Sequence, residues 1–178
     1  MLWTIDPTHA AVEFSVKHMA IARVKGAFKT FSGGAETDEA GAPTALTMEI
    51  DAASLDTNND QRDAHLRSGD FFDVGRFPSL TFRSTKISGG GANLTIVGDL
   101  TIRDVTKPVT MQGELSQTVR DPWGNQRASL AVSGSISRAE WGLTWNQLLE
   151  FGGLAVSDEV RLHVEAEAVA VVEEAVAA

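Results

Sequence analysis

The chain has 178 residues, of which 43% are hydrophobic, and its formal net charge is −9 because 24 acidic residues outnumber 15 basic ones. This length and composition predict one domain with a substantial core, and the acidity argues against nucleic acid or an anionic membrane surface as a partner, since both require clustered Lys and Arg. The chain has no cysteine, which excludes thiol catalysis, disulfides and thiolate metal sites.

The first part of the chain alternates between apolar and polar residues. This alternation is typical of antiparallel strands with one face in water. Gly33-Gly34 and Gly41-Ala42-Pro43 predict turns between the strands. The apolar rows of this part are Val12, Phe14 and Val16, followed by Leu46, Met48 and Ile50.

A polar segment then interrupts the alternation. Residues 57–59 are Thr, Asn and Asn, which are favoured helix N-caps, and Gly69 can end a helix in a left-handed conformation. We therefore predict a short helix over residues 59–68.

The faces of this helix differ in character. Arg62, His65 and Leu66 share one face, which we expect to point toward the predicted strands because Leu66 is apolar. Asp63 and Arg67 lie four residues apart on the far side, which predicts a solvated salt bridge. The helix is predicted to cover one end or flank of the sheet structure.

Alternation resumes after the helix and continues to the last predicted strand. Gly98 lies on an inward row, which predicts a bulge or the close approach of a ligand.

Trp141 and Trp145 are four residues apart and predict a helical turn that plugs one end of the structure, with Trp3 as a further core aromatic. The later apolar rows are Leu94, Ile96, Leu100 and Ile102; Val109, Met111, Leu115 and Val119; Ala128, Leu130, Val132 and Ile136; and Val160, Leu162 and Val164.

Several blocks of sequence resemble one family in the same order. The central block is RDAHLRSGDFFDV followed by FPSLTFRSTKI, in residues 62–87. The others are WTIDPTHAAVEFSVKHM (within 2–19), VKGAFKTFSG (24–33), GDLTIRDVTKPV (98–109), SRAEWGLTWN (137–146) and SDEVRLHVEAEA (157–168). In these blocks the chain resembles the YceI-like polyisoprenoid-binding family over residues 2–168.

This resemblance implies an all-β fold, an extended lipocalin-like antiparallel β-barrel with a short covering helix. It also implies non-covalent binding, for carriage or storage, of a long isoprenoid lipid or isoprenoid quinone in the barrel lumen. The residues expected to line that lumen are Phe14, Val16, Phe28, Met48, Ile50, Phe82, Ile96, Leu100, Met111, Leu130, Ile136 and Leu162.

The polar head of such a ligand has few candidate partners. His18, Arg62 and His65 are the residues predicted to hold it near a barrel mouth, although Arg62 paired with a carboxylate and His65 capping a loop remain alternatives. A pyrophosphate would require several cations close together, so a quinone or an alcohol head fits this acidic chain better.

No catalytic, metal or cofactor site is predicted. The four histidines show no ligand spacing such as HxH or HExxH, and no nucleophile elbow is present. His9 is interpreted as a structural hydrogen bonder. Two other hypotheses stay open: a structural or interaction module with a filled barrel, and an enzyme acting on isoprenoid quinones.

The domain is predicted to span residues 1–172, with 173–178 as a frayed tail. No segment reaches the ~18 apolar residues of a membrane span. The N-terminal MLWTIDPTHA has no basic and no apolar signal region, so a cytoplasmic location is expected for this form, and a periplasmic or secreted one if a signal has been removed. Exposed strand edges would allow a homodimer.

Overall fold

The computed structural model describes residues 1–150 and 152–171, so the predicted tail at 173–178 lies outside the described residues. Most of the described residues lie in antiparallel strands, and the remainder include one α-helix and two 3-10 helices. The strands are β1 (Leu2–His18), β2 (Ala22–Phe28), β3 (Phe31–Thr37), β4 (Pro43–Asp51), β5 (Leu55–Asp56), β6 (Ser79–Gly90), β7 (Asn93–Ile102), β8 (Val105–Leu115), β9 (Val119–Arg120), β10 (Gln126–Ser137) and β11 (Val156–Ala170), the helix is α1 (Asp60–Arg67), and the 3-10 helices are Ala52–Ser54 and Arg138–Trp141.

Within the described residues, eight strands close into an antiparallel barrel. Their order is β1-β3-β4-β6-β7-β8-β10-β11, and β11 pairs with β1 from Trp3↔Ala170 to His18↔Val156, so the first and last strands complete the wall. The predicted fold class, an all-β barrel with a short helix, is confirmed.

The strand that follows β1 in the barrel wall is interrupted, and its two parts are β2 and β3. β2 pairs with residues 12–18 of β1, and β3 pairs with residues 2–4 on the same edge. At the break, the backbone N–H groups of Lys29 and Thr30 both donate to Ser54 Oγ, at 3.1 and 3.0 Å. The hydroxyl thereby satisfies two donors that a continuous ladder would have used.

The predicted turn at Gly33-Gly34 is wrong, because both residues lie inside β3. A Cβ built on Gly33 would approach Ile5 Cδ1 to 3.0 Å and would overlap Thr47 O, while one on Gly34 would overlap Trp3 O. The two glycines are therefore needed where β3 passes close to the neighbouring strands, not where the chain turns.

The helix begins and ends close to its predicted limits. Asn59 caps it, since its Oδ1 accepts a hydrogen bond from Arg62 N at 2.9 Å. Its other end differs from the prediction: Ser68 follows in an extended conformation, with φ of −72°, and donates to His65 O. A left-handed Gly69 is therefore not used.

The predicted salt bridge between Asp63 and Arg67 is also wrong. Asp63 is buried and accepts hydrogen bonds from Thr57 N and Thr57 Oγ1, at 3.0 and 2.6 Å. Arg67 instead donates to Ala53 O and Leu55 O. The supposed solvent face of α1 packs on residues 53–57, so both side chains fasten the helix to the chain that precedes it.

The core lies at the helix-covered end of the barrel. Leu66 packs against it as predicted, and the 3-10 helix Arg138–Trp141 buries Trp141, whose Nε1 donates to Leu100 O at 3.0 Å. Trp145 does not continue a helical turn; it packs on His65 and Phe71. We call this end of the barrel, with α1 and the Arg138–Trp141 helix, the closed end.

Candidate functional site

A cavity of about 450 Å³ occupies the barrel interior. Its wall is built by the inward residues of the barrel strands and is mainly apolar, because alternate residues of each strand face inward. The larger apolar side chains on this wall are Trp3, Ile5, Val12, Phe14, Phe28, Leu46, Met48, Ile50, Leu80, Phe82, Ile96, Leu100, Ile102, Val109, Met111, Leu115, Leu130, Val132, Ile136, Leu162 and Val164.

Most of the residues predicted to line the lumen lie on this wall. They are Phe14, Phe28, Met48, Ile50, Phe82, Ile96, Leu100, Met111, Leu130, Ile136 and Leu162. Val16 is the exception. It shares the inward parity of Phe14 but pairs with Val24 and Val160 nearer the closed end, beyond the floor of the cavity.

Aromatic side chains form the floor of the cavity. Phe14 and Phe28 have ring centroids 5.6 Å apart, and Phe28 meets Phe72 edge-on at 5.8 Å. Phe72 belongs to the segment after α1, so the helix region supplies part of the layer beneath the floor. The cavity is thus blocked on the side of the closed end.

The opposite end reaches solvent. Exposed residues line the cavity at Ala40, Gly41 and positions 116–118, and we call this end the mouth. Ser116, Gln117 and Thr118 at the mouth carry neutral hydrogen-bonding groups. The site therefore has an apolar floor and an uncharged polar rim.

Ionisable groups are nearly absent from the described part of the wall. Among the described lining residues, Glu13 alone has an ionisable side chain, and it is exposed on the outward parity of β1. No Lys, Arg or His of residues 1–150 and 152–171 lines the cavity. The part of the wall that the structure describes can bind an apolar molecule but offers no acid–base pair and no cation for a charged head.

The three predicted head-group residues do not reach this cavity. Arg62 donates from Nε and Nη2 to Thr57 Oγ1 and Thr57 O, both at 2.7 Å, and His65 Nε2 lies 2.8 Å from Asp70 Oδ2. His18 ends β1, beside the hairpin to β2. All three belong to the closed end, because the helix covers the floor of the barrel rather than its opening, so their predicted position at the mouth is wrong.

A network of ion pairs on the barrel wall was missed by sequence reasoning. Arg127 of β10 contacts Asp6 Oδ2 of β1 at 3.0 Å, Asp121 Oδ2 of the β9–β10 turn at 2.8 Å, and Glu167 Oε1 of β11. Hydrogen bonds from Thr8, His9 and Arg127 hold the pKa of Asp6 well below its usual range, and Arg127 does the same for the pKa of Asp121. Asp6, Arg127 and Glu167 are far apart in the chain, so no sequence spacing predicts that they meet.

The same network includes three residues that could hold a cation by distance alone. The ligand atoms of Asp6, His9 and Glu167 lie within 4.8 Å of one another. However, the Arg127 guanidinium already contacts both carboxylates, so it supplies the positive charge there. His9 Nδ1 lies 3.1 Å from Asp6 Oδ2, which agrees with its predicted structural role.

The model of the YceI-like domain family matches residues 3–168 of the chain. The chain belongs to the YceI-like family. The predicted resemblance is therefore confirmed. A UPF0312 protein of Vibrio parahaemolyticus is 39% identical over 137 residues, which cover 76% of this chain and 72% of that protein. A UPF0312 protein of Staphylococcus aureus is 35% identical over 167 residues, which cover 93% and 95% of the two chains.

Solved structures repeat this YceI-like barrel. BcnA of Burkholderia cenocepacia has a TM-score of 0.79 and 25% identity, covering 92% of this chain and 98% of its own. The YCEI protein of Campylobacter jejuni has a TM-score of 0.75 and 29% identity, covering 86% and 89%. A polyisoprenoid-binding domain of Saccharophagus degradans shares the fold, with a TM-score of 0.68 at 16% identity over 94% and 98% of the two chains.

Proposed function

We propose that this YceI-like protein binds one long-chain isoprenoid lipid or isoprenoid quinone non-covalently in its barrel cavity and so carries or stores it. The observation that carries the proposal is the apolar cavity of about 450 Å³, which is blocked by aromatic rings at one end and open at the other. The Saccharophagus degradans domain of the same fold, described as polyisoprenoid-binding, supports this ligand class.

Because the cavity wall is mainly apolar, we expect the ligand to enter tail first. Burying an apolar chain contributes up to about 0.8 kcal/mol per CH₂ before ordering costs, whereas one neutral hydrogen bond to a head group adds about 0.5–1.5 kcal/mol. The tail therefore supplies most of the affinity, and the head lies at the mouth beside residues 116–118. An alcohol or a quinone suits that uncharged rim better than a pyrophosphate does.

The open cavity favours binding over the two other hypotheses. A filled structural barrel would have its inward side chains meeting across the lumen, and here they leave a cavity that reaches solvent. An enzyme acting on quinones would need a titratable group facing the ligand, and among the described lining residues only the outward Glu13 is ionisable. We infer a binding role without chemistry on the ligand.

The test is extraction and reloading. Purified protein is extracted with organic solvent and the extract is analysed by mass spectrometry for isoprenoids. The delipidated protein is then titrated with geranylgeraniol while its Tm is recorded. We expect one bound lipid per chain and a Tm that rises with ligand concentration, because a ligand that binds only the folded state stabilises it. An unchanged Tm, together with an extract free of lipid, would reject the proposal.

A further inference from the structure

Two phenylalanine rings on the cavity wall lie directly against glycines. Phe14 of β1 pairs with Gly26 of β2, and a Cβ built on Gly26 would be 2.8 Å from Phe14 Cε1 and closer still to Cζ. Real Cβ atoms do not approach other atoms so closely. The tip of the Phe14 ring therefore occupies the space that any other residue at position 26 would fill.

The second pair repeats the arrangement on the other side of the barrel. Phe82 of β6 pairs with Leu100 of β7, and its ring leans diagonally over Gly98. A Cβ on Gly98 would lie 2.5 Å from Phe82 Cε2 and 2.7 Å from Arg83 O. The predicted bulge near Gly98 lies instead in the facing strand, between Ser84 and Lys86. Gly98 thus makes room for a ring rather than for a bulge.

We propose that Gly26 and Gly98 are specificity-determining residues, which widen the cavity by receiving the rings of Phe14 and Phe82 and so favour methyl-branched prenyl chains over straight acyl chains. This inference rests on the proposed function and narrows its ligand class. Both rings lie on the cavity wall, so their position sets the free cross-section of the lumen.

A side chain at position 26 would displace the Phe14 ring from the space that it occupies over Gly26. Thr57 Cγ2 also lies 2.9 Å from the Gly26 Cβ position, so the new side chain has no free space on that side. The Phe28 ring is beside the Phe14 ring, with centroids 5.6 Å apart. Because the Phe14 ring lines the cavity, its displacement would narrow the lumen at this level. A prenyl chain carries methyl branches and rigid double bonds, so it loses more contact area than a slim alkyl chain.

Gly26→Ala is the cleaner test, because the atoms it meets are all side-chain atoms, whereas Gly98→Ala also meets the carbonyl of Arg83. The matched control is Gly90→Ala, another glycine in a strand, where a Cβ meets nothing within 4 Å. The probes are geranylgeraniol and hexadecan-1-ol, which have the same main-chain length and the same head. Affinities are measured by displacement of a fluorescent fatty probe from the delipidated full chain.

We expect Gly26→Ala to weaken geranylgeraniol binding roughly ten-fold or more, the scale of a methyl-sized misfit in an apolar pocket, and to leave hexadecan-1-ol nearly unchanged. Gly90→Ala should match the wild type for both alcohols. The double variant Phe14→Leu/Gly26→Ala should recover geranylgeraniol binding, because the shorter side chain no longer needs the recess. Equal losses for both alcohols, or no loss for either, would overturn the inference.

If Gly26→Ala does not fold, Phe14→Leu alone decides the question. This variant widens the lumen and should increase the preference for geranylgeraniol over hexadecan-1-ol, and an unchanged preference would overturn the inference. A wild-type protein that binds neither alcohol would instead reject the proposed function. The two failures are therefore distinguishable.

Discussion

Ile96 and Thr95 are consecutive residues of β7 on opposite faces of the barrel wall. Ile96 is 1% exposed and lines the cavity, whereas Thr95 faces outward and donates to Gln112 Oε1 at 3.2 Å. We expect Ile96→Asp to abolish lipid uptake and to lower the free energy of unfolding by roughly 3–5 kcal/mol, since a buried charge has no partner there. Denaturant unfolding and lipid titration measure the two effects.

Thr95→Asp is the matched control for that change. It places the same carboxylate one residue away, on the solvent side, and should alter stability by about 0.5 kcal/mol or less. Similar losses for both variants would mean that both faces of β7 are buried, which would contradict the barrel.

Inward parity could be predicted from the sequence one residue at a time, because a strand alternates strictly. Phe14, Met48 and Ile96, which have inward parity, accordingly lie on the cavity wall. Parity does not show where along a strand the cavity ends, and Val16, which has inward parity, lies beyond its floor. The burial of Asp63 could not be predicted for a similar reason. Helical spacing shows which residues share a face, but it does not show which face packs against the rest of the protein.

At the scale of whole elements, Arg127 joins three strands. It connects β10 to β1 and β11 and also holds the β9–β10 turn. Hydrogen bonding keeps the pKa of Asp6 and of Asp121 below its usual value in the folded chain. A carboxylate with a lowered folded-state pKa stabilises the fold above its unfolded pKa of about 4, and that stabilisation is lost as the pH falls further.

Arg127→Met should therefore lower the Tm at neutral pH, and the difference from wild type should shrink as the pH falls below about 4. Thermal unfolding followed by circular dichroism across this range measures the difference. Arg161→Met serves as the control, because Arg161 makes an exposed pair with Glu159 at 3.4 Å, which contributes little. A Tm difference that stays constant with pH would show that Arg127 acts through packing alone.

Elements with a local signal were the ones the sequence could predict. The N-cap residues at 57–59 predict the start of the helix, and alternation predicts the strands. The break between β2 and β3 carries no such signal, because it depends on Ser54, a residue more than twenty positions away that accepts from the backbone at 29 and 30. The role of Arg138 also has no local sequence signal. This buried side chain donates to Leu143 O, Trp145 O and Ser157 O, and it thereby holds the segment before β11 in place.

At the scale of the whole molecule, the two ends of the barrel should respond differently to a ligand's head. Gln117→Leu removes a hydrogen-bonding group at the mouth and should weaken geranylgeraniol by at most about ten-fold, the equivalent of one neutral hydrogen bond. The matching headless hydrocarbon should bind as before. The measurement is displacement of the same fluorescent probe by each ligand.

His18→Leu makes the corresponding change at the closed end and should affect neither ligand. If it selectively weakened the alcohol while Gln117→Leu did not, the head would lie beside the helix, and the tail-first orientation through the mouth would be wrong.

The pairing of β1 with β11 has a consequence for the synthesis of the protein on the ribosome. Trp3 pairs with Ala170, so the wall is complete only when the last strand of the barrel has left the ribosome. Until then the inward faces of seven strands have no enclosed space between them, and pairing across such a long separation is slow. The lipid binding proposed above would therefore follow translation, because the cavity is enclosed only in the finished barrel.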